Sequence, residues 1–132
     1  MAIKTITKLY SDIDFTFTKK PVTNDVALSY DSQAVIRSVR NLLQTKHYER
    51  PFNPNLGSNV ETILFEPIST LSASSLETEI KIMIKNYEPR VSISDVKVVP
   101  QEEFNAYNVS LTFFLENAAT PTTVTMLLER TR

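Results

Sequence analysis

The sequence has no cysteine and no tryptophan, and only one glycine and one histidine among 132 residues. Without cysteine there is no disulfide framework and no thiolate chemistry, and a reducing compartment such as a bacterial cytoplasm suits the chain. One histidine, His47, leaves no ligand set for a transition metal, and no acidic run has EF-hand spacing. The single Gly57 excludes both a glycine-rich phosphate loop and a Gly-x-Ser-x-Gly nucleophile elbow. No cofactor is therefore expected. No apolar run approaches the roughly 20 residues of a spanning helix. Residues 1–10 alternate apolar and polar, interrupted by Lys4 and Lys8, and lack the apolar centre of a signal peptide, so general secretory export is not expected. With 14 basic against 15 acidic residues, there is no electrostatic footprint for nucleic acid or for an anionic membrane.

What is present is enough for one core. The hydrophobic fraction is 42%, and a chain of this length buries roughly two-thirds of its unfolded surface. We read residues 1–132 as a single domain. Seven prolines supply most of the punctuation. Ile13, Phe15 and Phe17 alternate with polar residues and suggest a short strand, broken by Lys19-Lys20-Pro21. Val35, Ile36, Val39, Leu42 and Leu43 form one apolar stripe, which predicts a helix over residues 31–45 with Asp31 or Ser32 capping it. A loop follows over residues 50–57, broken by Pro51, Pro54 and Gly57. Ser58 and Glu61 have capping-box spacing and open a short helix to Phe65; the next helix is expected to start near Ser72 or Ser74, where Ser74 and Glu77 repeat that spacing, before a stripe of Leu76, Ile80, Met83, Ile84 and Tyr87.

From Arg90 the period changes to two. Val91, Ile93, Val96 and Val98 read as a strand with a bulge near Ser94-Asp95. Residues 107–115 and 122–129 continue a meander joined by short connections. The fold class expected is α+β: an N-terminal strand and two to three helices packed on a C-terminal antiparallel β-meander.

Enzyme chemistry finds little support. A nucleophile needs a paired base, and glycosidases need two carboxylates across a cleft. Glu61 and Glu66 point different ways about a short helix, and Glu102-Glu103 falls on a turn. His47 sits near a helix C-terminus, where the carbonyl end of the helix suits a hydrogen-bonding imidazole; that is a structural position. No enzymatic activity is expected.

Four segments, in order, carry a resemblance. They are Leu9-Tyr10-Ser11-Asp12-Ile13-Asp14; Arg50-Pro51-Phe52 with Pro54 and Gly57; Leu64-Phe65-Glu66; and Asn86-Tyr87-Glu88-Pro89-Arg90. Together they resemble the small baseplate wedge protein family of contractile-tailed phages, which is related to a subunit of type VI secretion baseplates. The resemblance implies a structural subunit of a six-fold assembly, made in the host cytoplasm and carried in the virion tail baseplate. Implied partners are the larger baseplate wedge proteins and the sheath subunit, with tube or hub proteins as further candidates, and neither nucleic acid nor membrane. It also implies that the Glu-Pro-Arg segment contacts the wedge core bundle, and that the β-rich end presents a template for the first sheath ring.

The residues give this a physical form. Pro89 disfavours the α conformation at Glu88, so the long helix should end at Tyr87 with Glu88 extended. Residues two apart then share a side, which sets Glu88 beside Arg90 on a rigid corner, aimed outward at another chain. The plainer alternative is a corner whose two charges bridge each other. Partner-binding candidates are Glu88, Pro89, Arg90 and Arg50. Phe52 is expected to anchor its loop in the core, Gly57 to supply a positive φ, and Arg90→Glu to keep the fold. A small soluble adaptor or regulatory protein with no catalytic activity is the second reading.

Overall fold

The computed structural model describes residues 10–116 and 118–130. The alternation of residues 1–9, including Leu9 of the first motif, lies outside them, as does Arg132. The chain divides into two compact units, Met1–Arg37 and Ser38–Arg132. It is α+β: a strand pair, three helices and a three-stranded antiparallel sheet.

In the first unit, β1 (Ser11–Ile13) pairs antiparallel with β2 (Leu28–Tyr30). The expected strand over Ile13–Phe17 stops at Ile13 for a local reason. The Asp14 carboxylate accepts the Thr16 N–H at 3.1 Å, its carbonyl accepts the Phe17 N–H at 2.9 Å, and Phe17 takes a positive φ of 50°. Short polar side chains compete in this way with ladder formation. Asp14 also forms an ion pair with Arg37. That hydrogen bond first, then the Thr16 N–H, holds its carboxyl below the usual range. Asp31 opens α1 (Asp31–Gln44) with φ 49°, its amide donating to the Tyr10 carbonyl at 2.9 Å and its carboxylate accepting the Tyr10 N–H at 3.3 Å.

α1 runs through the boundary between the units and ends one residue before the expected Thr45. Val35, Val39, Leu42 and Leu43 of its stripe are buried. In the second unit, α2 (Val60–Leu64) begins after Asn59, whose side chain makes no cap bond. The expected Ser58–Glu61 box does not form. Glu61 pairs with Lys46 at 2.7 Å, and the Asn59 N–H is satisfied by Glu79 Oε1 at 2.9 Å.

α3 (Thr70–Tyr87) starts earlier than the expected Ser72 or Ser74. Ser69 is its N-cap, accepting the Ser72 N–H at 3.1 Å. Ser72, itself buried, donates to the Pro67 carbonyl at 2.9 Å, which fixes the chain entering the helix. The helix ends at Tyr87 as Pro89 dictates.

β3 (Val91–Gln101), β4 (Ala106–Leu115) and β5 (Thr122–Glu129) form the meander in the order β3-β4-β5. The register shifts between Ile93 and Asp95, the bulge the sequence indicates. The period-two alternation puts Tyr107, Val109, Leu111 and Phe113 fully inside, and α3 packs along β3. Tyr107 Oη is buried with no hydrogen-bond partner in the described structure. Gly57 has φ 141°, and a Cβ there would lie 2.6 Å from the Lys46 carbonyl carbon. Backbone passes too close for any side chain, which explains a lone glycine beyond its φ.

Candidate interaction surface at the helix–strand corner

Glu88 sits where α3 becomes β3. Its backbone leaves the helix at φ −127°, ψ 78°, while its amide still closes the last turn on the Ile84 carbonyl at 2.9 Å. Its carbonyl accepts the Val91 N–H at 3.3 Å, which tightens the corner around Pro89. The fixed φ of proline leaves the corner little freedom.

Glu88 and Arg90 stand side by side, as the i, i+2 spacing requires. Arg90 Nε donates to Oε1 at 2.6 Å and Nη2 to Oε2 at 2.8 Å, a bidentate pair. Ser38 of α1 donates its hydroxyl to Oε2 at 2.5 Å. The structure departs from the outward-facing expectation at Glu88, which is only 2% exposed. Its carboxylate faces Ser38 and Arg90, not solvent, so the two charges bridge each other. A carboxylate at the foot of a helix covered by neighbouring elements must be paired where it lies. Arg90 keeps a quarter of its side chain exposed, and Pro89 is exposed.

Burial alone would push the Glu88 carboxyl up. The Arg90 fork and the Ser38 hydroxyl together outweigh it and hold the carboxyl below its ordinary value of 4.5. A lowered folded value means that the pair's contribution is complete above the unfolded value and is lost as pH falls through the folded one. Thermal melts should therefore be flat from neutral pH down to about pH 5 and fall in more acidic buffer. Glu88→Gln should show a smaller acid-dependent fall; an unchanged acid profile would contradict this pairing.

Arg50 lies exposed in the loop that precedes α2. This loop is joined to the corner: Tyr87, the last residue of α3, donates its hydroxyl to the Asn55 carbonyl, and His47 Nδ1 lies 3.2 Å from the same oxygen. Phe52 is a correction. It is fully exposed rather than a core anchor, because the loop is tied by these polar contacts, by the Tyr48 N–H on the Pro54 carbonyl at 2.8 Å, and by the tight approach at Gly57. Ser38 is the member of this polar cluster that sequence reasoning missed. The available signal was a small hydroxyl three residues after Val35 and four before Leu42, at the margin of an otherwise apolar stripe.

The Arg50–Gly57 loop and the Asn86–Arg90 corner thus meet in the second unit, through the Tyr87 hydroxyl on the Asn55 carbonyl, whereas Asp12 and Asp14 of the first motif belong to the first unit. The profile of the baseplate wedge protein gp25 family matches residues 29–119, from β2 to just beyond β4. The chain belongs to the gp25 baseplate wedge family. It is 36% identical over 95 residues, 72% of this chain and 71% of the relative, to the baseplate wedge protein gp25 of Enterobacteria phage T4.

Two solved structures share the gp25 family fold. A candidate tail lysozyme from Geobacter sulfurreducens is 21% identical with a TM-score of 0.74, covering 81% of this chain and 97% of that one. A chain of the anti-feeding prophage baseplate is 21% identical with a TM-score of 0.63, covering 93% of this chain and 87% of that one. The lysozyme name is that protein's own. Glu61 is ion-paired to Lys46, Glu88 is clamped by Arg90, and Glu102 and Glu103 lie exposed on a single 3-10 turn. The gp25-family chain is a structural subunit of the baseplate wedge type.

Proposed function

We propose that this wedge subunit links the larger wedge chains to the tube and sheath side of a contractile-tail baseplate and helps to start sheath assembly, without catalysis. The observation that supports the linking role most strongly is the corner itself. Glu88 acts as an internal brace: by holding Arg90 bidentately and being held by Ser38, it fixes the guanidinium beside the rigid Pro89 ring. Pro89 and the exposed part of Arg90 then form a preorganised contact for a wedge core chain, with Arg50 on the adjoining loop. Preorganisation lowers the ordering cost of association.

The sheath role rests on the meander. Among the described residues, β3 and β5 are each paired on one side, so both can accept a strand from a sheath subunit. The larger wedge proteins and the sheath subunit are thus the proposed partners, with tube or hub proteins adjoining, in a six-fold particle assembled in the host cytoplasm.

The test replaces the whole polar cluster. The Ser38→Ala/Glu88→Met/Arg90→Met triple variant removes the pair without orphaning a charge, a change often close to neutral for folding. It should melt near wild type yet be missing from purified baseplates, and tails assembled without the chain should carry tube but no sheath. A triple variant incorporated at the wild-type level would refute the corner's role.

A further inference from the structure

Beside the corner lies an open cavity of about 450 Å3 between α3 and the start of β3. It is lined by the apolar Pro89, Val91 and Ile93, by the hydroxyl residues Ser92 and Ser94, and by Lys81 and Lys85 of α3. We propose that this groove receives a short acidic segment of a different baseplate chain, seating a carboxylate against Lys85 with apolar side chains beside it. The inference rests on the corner being a docking element, and extends it by naming the chemistry of the partner.

The charge pattern favours that occupant. Glu88 also borders the groove, but its charge is already matched by the Arg90 fork. Lys81 is matched by Glu77 one turn earlier, at 2.6 Å. Among the described residues no carboxylate lies within ion-pair distance of Lys85, and its side chain is exposed at the last turn of α3. The groove therefore carries one unmatched positive charge beside the apolar Pro89, Val91 and Ile93, with hydroxyls able to donate to a second carboxylate oxygen. Its volume falls in the range of roughly 300–1,000 Å3 typical of clefts that enclose small groups. A basic or purely polar segment would leave either the ammonium or the apolar lining residues uncompensated.

The experiment is zero-length carbodiimide cross-linking of intact baseplates, which joins an ammonium to a carboxylate only in direct contact, followed by peptide mass spectrometry. A link from Lys85 to an aspartate or glutamate of another baseplate protein is expected. In parallel, Lys85→Glu should lower incorporation roughly tenfold or more while melting near wild type. A link only within this chain or to a second copy of it, or no link at all, overturns the proposal, as does wild-type incorporation of Lys85→Glu. Should Lys85→Glu fail to fold, the cross-link alone decides. If Lys85→Glu assembles normally but the triple corner variant does not, the groove assignment falls and the corner reading stands; if both assemble normally, both fall.

Discussion

Arg90→Glu should destabilise the subunit by about 3 kcal/mol or more, since breaking a buried ion pair from one side leaves an uncompensated charge. Glu88 is 2% exposed, so it cannot turn to water when its partner is lost. Partial exposure of Arg90 tempers the effect, but the introduced carboxylate would sit where the guanidinium now touches both Glu88 oxygens. A drop in melting temperature on the order of 10 °C follows for a domain of this size. This reverses the expectation from sequence that Arg90→Glu keeps the fold. Thermal unfolding followed by circular dichroism at neutral pH checks it: a shift of less than about 2 °C would show that Glu88 is not held as described.

Phe113→Ala should cost a comparable amount, about 3–5 kcal/mol, by removing a large side chain from a fully enclosed site. Phe113 is 0% exposed on β4, the central strand, opposite Ile93 on one side and Thr122 on the other. Both neighbouring strands constrain the backbone there, so the cavity cannot easily close. Urea unfolding should show a lowered midpoint with an unchanged slope. Phe114→Ala, one residue on and so on the opposite face of the strand, should move the midpoint far less, because its side chain is already 36% exposed. Equal effects at the two positions would contradict the assigned faces of the sheet.

The regular parts of the fold were legible because their periodicity coincides with burial. The stripe from Val35 to Leu43 gave α1, and the alternation from Tyr107 to Leu115 gave β4 with its faces. The slip at Ser94-Asp95 gave the bulge, and Pro89 gave the end of α3. What failed was local polar chemistry. Phe15 and Phe17 alternate like a strand, but Asp14 captures the Thr16 amide and turns the chain. Two Ser-x-x-Glu spacings suggested caps that do not form: α2 begins after Asn59 with no side-chain cap while Glu61 is drawn to Lys46, and α3 starts a turn earlier with Ser69 as its cap. β2 has only three residues and leaves too short a pattern to read.

The candidate site was half legible for a related reason. Spacing alone could put Glu88 beside Arg90. It could not say which of them faces inward, since that depends on Ser38, fifty positions earlier, reaching the same carboxylate. Phe52 illustrates the converse: an aromatic flanked by prolines suggests an anchor, yet hydrogen bonds to Asn55 and the close approach at Gly57 hold the loop without it.

A density map of the assembled baseplate at side-chain resolution bears most directly on the role assigned to the corner. It should show Pro89 and the outer edge of Arg90 covered by a neighbouring wedge chain, with Glu88 still held between Arg90 and Ser38. A map in which that corner faces solvent in the finished particle would contradict the account.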